Sequence, residues 1–85
     1  MPYYLYILQS QINQKFYVGS SENPKRRLLY HNSIEKGFTA RYRPWKLVFV
    51  KEFPSKSLAQ KAERKIKSWK SRSMIECLIK GEIAF

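Results

Sequence analysis

Apolar residues along this chain come in two rhythms, and the change from one to the other marks its elements. Tyr3 to Leu8 is a run of aromatic and branched residues, Lys15 to Gly19 is a second, and the polar stretch Gln9 to Gln14 supplies the connection of a hairpin. By the period of two, Tyr4 and Tyr6 fall on one face of the first strand, and Tyr17 and Gly19 share one face of the second. Two tyrosine hydroxyls can therefore converge on one surface. Asn23-Pro24 is a helix start, with Asn as N-cap and Pro at the first helical position, and predicts a helix from Pro24 to about Asn32. Within it Arg27 and His31 stand at i and i+4 and share a face. Ser33 to Pro44 has no usable period and reads as a basic loop bearing Lys36, Arg41 and Arg43.

A third strand is expected over Trp45 to Phe53, ended by Pro54. Ser57 with Gln60 fits a capping box, after which Ala59, Ala62, Ile66 and Trp69 recur at helical spacing. Lys70 to Ser73 is a polar break; Met74, Ile75, Leu78 and Ile79 then predict a short closing helix that Gly81 terminates. The order is ββαβαα. This is an α+β domain with a three-stranded mixed or antiparallel sheet flanked by helices. No internal repeat, linker or low-complexity tract interrupts residues 1–85, which are expected to form one domain with one core.

Charge narrows the partner. Seventeen Lys and Arg stand against six acidic residues, all of them Glu, for a formal charge of +11 and a pI near 10.1. Such a balance expects a polyanion. The cations are scattered among sheet and aromatic residues rather than gathered on one amphipathic helix, which favours a phosphate backbone over a membrane surface. Apolar runs are far shorter than the ~18 residues of a membrane span, and the strand-like start leaves no room for a signal peptide. Cys77 is the single cysteine, so no internal disulfide is expected and a cytoplasmic setting is the natural reading.

One ordered set of side chains carries candidate chemistry: Tyr4-Leu5-Tyr6, then Tyr17-Val18-Gly19 about ten residues on, then Arg27 and His31, and finally Glu63. In order and spacing this set resembles the GIY-YIG nuclease signature, from Tyr3 to about Lys80. The compact length is similar to the small stand-alone members of that family in bacteria. The first triplet here lacks its Gly, and no Asn follows Glu63, where many longer members carry one. The resemblance implies a small sheet flanked by helices with the active site on its face. It also implies roles: Tyr17 as general base towards water, Tyr6 as its hydrogen-bonding companion, Arg27 as phosphate stabiliser, His31 in support and Glu63 as metal ligand. Tyr4 and Gly19 belong to the structural motif, Gly19 as a close-packing or bulge residue that lets substrate backbone approach the sheet.

Each role has a plainer reading. Glu63 lies about 40° round its helix from Ala59, at the edge of the apolar stripe, and could simply pair with Lys67 for about 0.3–0.5 kcal/mol. As a ligand, one carboxylate suits a single Mg²⁺ (or Mn²⁺) that keeps most of its waters, and the scarcity of acids argues against a two-metal cluster. Lys25-Arg26-Arg27 could be a solvated basic run, although the planar fork of an Arg suits a phosphate gaining charge. His31 could be a half-buried residue bonded to backbone, and both tyrosines ordinary sheet aromatics. An ordinary phenol, of pKa about 10, costs about 4 kcal/mol to ionise at neutral pH, so a tyrosine base needs positive charge beside it. Cys77, Trp45 and Trp69 are assigned to packing.

The sequence thus points to a Mg²⁺-dependent nucleic-acid phosphodiesterase, with DNA favoured over RNA. Lys25, Arg26, Lys36, Arg41, Arg43, Lys67 and Lys70 are expected on phosphates. The runner-up is a non-catalytic nucleic-acid-binding module on the same fold; a third reading is a nuclease subunit that works only with a protein partner.

Overall fold

The computed structural model describes residues 2–33 and 42–83. Lys36 and Arg41 lie outside the described residues. In chain order the elements are β1 (Tyr3–Ser10), β2 (Phe16–Ser21), α1 (Pro24–Ser33), β3 (Trp45–Phe53), α2 (Lys56–Trp69) and α3 (Arg72–Lys80). The strands form one antiparallel sheet in the order β2-β1-β3, so the ββαβαα α+β architecture stands, with the pairing antiparallel throughout.

The most apolar strand takes the centre, as it must when both faces and both edges are covered: Leu5 to Leu8 of β1 are all buried. Its register sets Tyr6 opposite Gly19 and Leu8 opposite Tyr17 on β2. One face carries Tyr6, Leu8 and Trp45, packed with Tyr17 and with Leu28 of α1. The other carries Leu5, Ile7 and Val18 and is closed by Ala62 and Ile66 of α2 and Leu78 of α3. Trp69 packs at the margin of this second cluster, while Trp45 is buried in the first. On β3 a register shift opposite Ile7 and Leu8 inserts Val48 as an extra residue. The bulge lets Val48 and Phe49 both serve the α2 face while Leu47 turns to the α1 face.

Local signals place the helices, with corrections at the ends. Asn23 caps α1 as expected, its Oδ1 accepting from the Arg26 amide at 3.1 Å. The cap of α2 is Ser55 rather than Ser57: Ser55 has extended backbone directly after Pro54 and accepts from the Leu58 amide at 3.3 Å. Ser57 then falls inside the first turn, and the capping box with Gln60 does not form. The break before α3 is shorter than expected, Lys70 and Ser71 only. Lys70 takes a left-handed conformation (φ 50°), and Ser71 caps α3 by accepting from the Met74 amide at 3.3 Å. Gly81 ends α3 with φ 80°, as a left-handed C-terminal residue should. Among the described residues no helix is long and apolar enough to cross a membrane.

Candidate active site

Most of the signature residues meet beneath α1. The Tyr6 hydroxyl lies 3.2 Å from His31 Nε2, and both side chains are buried at 1% exposure. His31 reaches the sheet because it sits on the inner face of α1, one turn beyond Arg27. Its ring also packs against Tyr17, with centroids 4.7 Å apart and planes tilted by 58°. Arg27 hydrogen-bonds the Tyr6 phenol and lies over the Tyr30 ring at 4.7 Å from its centroid.

Burial pushes the Tyr6 phenol above its ordinary value; the hydrogen bond from Arg27 opposes this, and nearby Tyr17 and Glu63 add to the rise while the Arg27 charge lowers it. Tyr6 therefore stays protonated through neutral pH. With Arg27 on its oxygen, the phenol can donate its own proton to His31 Nε2 in the tautomer that leaves that nitrogen bare. The stability linked to this group is complete below pH ~10, the unfolded value, and is lost only as pH climbs towards the higher folded value.

Gly19 is a close-packing residue, and what packs on it is Tyr6. A Cβ built there would stand 2.6 Å from the Tyr6 hydroxyl oxygen and 2.7 Å from Cζ, so the space above Gly19 is already filled by the phenol. Gly19→Ala is expected to push Tyr6 off His31. Overpacking of this kind costs roughly 1–3 kcal/mol, or a fall in Tm of about 4–8 °C for each kcal/mol in a domain of this size. Thermal unfolding of the variant checks this.

Glu63 approaches from the other side of the sheet. Ser20, the residue after Gly19, points towards α2 and donates its hydroxyl to Glu63 Oε1 at 2.7 Å. The second oxygen meets the Lys67 ammonium at 2.6 Å, with the two side chains 21% and 51% exposed respectively. The i,i+4 pair and the inward-leaning carboxylate expected from the sequence are thus both present. Among the described residues no group of three or more His, Cys, Asp or Glu gathers at one point. A single partly exposed carboxylate steadied by a hydroxyl suits a hard divalent ion that retains most of its waters, once the Lys67 ammonium gives up Oε2 to it. It does not fit a multi-ligand cage.

The remaining candidates divide. Lys25 and Arg26 are exposed on the first turn of α1, and Arg26, Arg27 and Tyr30 line a shallow polar cleft of about 410 Å³. Lys67 and Lys70 lie along the α2 edge of β2. Arg43 is engaged structurally, its Nε donating to the His31 carbonyl at 2.8 Å near the end of α1. Tyr4 lines a separate groove with Pro24, Leu47 and Val50, away from the Tyr6–His31 contact. Ser20 and Tyr30 were not singled out by the sequence. Tyr30 stands at i+3 from Arg27, a spacing that could have drawn attention to it; nothing local marks Ser20.

Comparison with known proteins identifies the family. Residues 2–76 match the model of the GIY-YIG catalytic domain. The chain belongs to that family. The GIY-YIG chain is 43% identical over 68 residues to the structure-specific endonuclease subunit SLX1 of Chaetomium globosum, covering 72% of this chain and 21% of that protein. It is 41% identical over 69 residues to the SLX1 of Debaryomyces hansenii, covering 72% and 20%. It thus spans about a fifth of the length of these curated relatives. The solution structure of the UPF0213 protein BH0048 from Bacillus halodurans superposes with a TM-score of 0.59 at 32% identity, over 94% of this chain and 84% of that one. Fold and GIY-YIG membership are therefore as the signature implied.

Proposed function

We propose that this domain is a one-metal phosphodiesterase that cuts nucleic acid, DNA in preference to RNA, with Tyr17 as general base. The observation that carries the reading is the placement of two halves of a site on consecutive residues of β2. Gly19 makes room for the Tyr6–His31–Arg27 cluster on one face, and Ser20 holds Glu63 on the other. Tyr17 packs on His31 of the first half and shares a groove with Lys67, the ion-pair partner of Glu63 in the second.

In this mechanism the Arg27 guanidinium holds a phosphate oxygen as charge builds on the five-coordinate centre. Tyr17 takes a proton from the attacking water. Tyr6, kept protonated by burial, acts as a donor and aligns the cluster through His31. Family nucleases generally use a divalent metal; bound through Glu63, it would supply Lewis-acid charge on the phosphate. From relatives described as structure-specific endonuclease subunits we carry over two further readings. The shape of the nucleic acid, not its sequence, selects the substrate, and a protein partner joins the working enzyme.

Binding should depend steeply on salt. If Lys25, Arg26 and Arg27 each neutralise one phosphate of duplex DNA, log K should fall with log salt at a slope of about −2.7 or steeper. Fluorescence anisotropy between low and physiological salt measures it. A flat response would contradict the nucleic-acid reading.

A further inference from the structure

A groove of about 390 Å³ runs along the outer edge of β2, between that strand and the junction of α2 with α3. It begins at the proposed site, where Tyr17 and Lys67 form its near end, and leads away towards the hairpin. Its floor is apolar, from Phe16, Ile66 and Ile75; its rim is cationic, from Lys15, Lys70 and Arg72, and no acidic residue lines it. The left-handed Lys70 turns the chain between the helices, bringing Arg72 back over Phe16 at 4.9 Å from the ring centroid. Arg72 also reaches Glu76 at 3.8 Å, one turn further along α3. Lys15 sits across the strand end with its ammonium 4.8 Å from the Tyr42 ring centroid.

We propose that this groove holds an unpaired strand continuing from the scissile phosphate. Phosphates would lie on Lys15, Lys70 and Arg72, and a base would lie against Phe16 in place of part of the Arg72 contact. The inference rests on the nuclease reading and adds to it the form of substrate that is held best. A duplex keeps its base faces stacked internally and gains nothing from an apolar floor, whereas a single strand offers both base faces and phosphates.

The test is anisotropy of the whole chain in EDTA, so that no cleavage intervenes, with labelled probes of one sequence: a blunt duplex and the same duplex with a single-stranded extension of either polarity. The wild type should bind one extended form at least about fivefold more tightly than the blunt form. In Lys15→Gln/Arg72→Gln that advantage should vanish, and the salt slope for the extended form should shrink by about 1.4, two single-strand contacts. Phe16→Leu, which keeps an apolar residue against the core, should erase most of that advantage, with the slope unchanged. Equal wild-type affinity for blunt and extended forms would overturn the groove proposal alone, as would an advantage that survives the double variant. No binding of any probe by the wild type would overturn the nuclease reading and the groove together.

Discussion

Glu63→Gln should abolish metal-dependent cleavage while leaving the fold and nucleic-acid binding in place. Glutamine keeps a carbonyl oxygen for the Ser20 hydroxyl, now 2.7 Å from Oε1, and removes only the charge. Charge on a transferring phosphate is worth several kcal/mol when a metal supplies it, so the rate should fall on the order of 10³-fold or more. The cost to stability is small, since the pair lost with Lys67 is half-exposed and such pairs contribute about 0.3–0.5 kcal/mol. Tm should move by only about 1–4 °C. A variant that cut normally would return Glu63 to its plain role as partner of Lys67.

Tyr17→Phe should slow cleavage by ~10² or more, the usual scale for losing a general base. The ring that packs on His31 and Trp45 is retained, so melting should change little. In the wild type the rate should climb from neutral towards alkaline pH, because more of a phenol is ionised there, and the variant should lose that climb. His31 is a poor substitute for this role. It is buried at 1% exposure and takes up the Tyr6 hydroxyl with Nε2. If Tyr17→Phe cut at wild-type speed with the wild-type pH profile, the tyrosine would be structural and the water would have to be activated by another group.

Much of the site was legible because it rests on short periods. The alternation of a strand placed Tyr6 and Gly19 facing the same way, and the hairpin register then set them directly opposite each other. The turn of a helix set His31 beneath Arg27. What escaped were contacts between elements distant in sequence. Ser20 points away from Tyr17 and Gly19 and acquires meaning only when α2 delivers Glu63 to it, 43 residues later. Charge was a poor guide to role for the same reason: Arg43 resembles any other cation of a basic loop, yet it is committed to the His31 carbonyl. The bulge at Val48 is likewise invisible in an apolar run, since Leu47, Val48 and Phe49 suit either face and only the two competing cores decide between them. Ser57 was the cap expected from the sequence; the extended backbone after Pro54 makes Ser55 the cap instead.

The central claim is tested most directly by incubating the purified protein with branched, single-stranded and duplex DNA, with magnesium or with EDTA, beside Glu63→Gln. The account predicts cleavage of at least one branched or strand-extended substrate with magnesium, none with EDTA, and none by the variant at concentrations where it still binds. Binding of every substrate without cleavage by the wild type under magnesium or manganese would contradict it and leave a nucleic-acid-binding module on the nuclease fold.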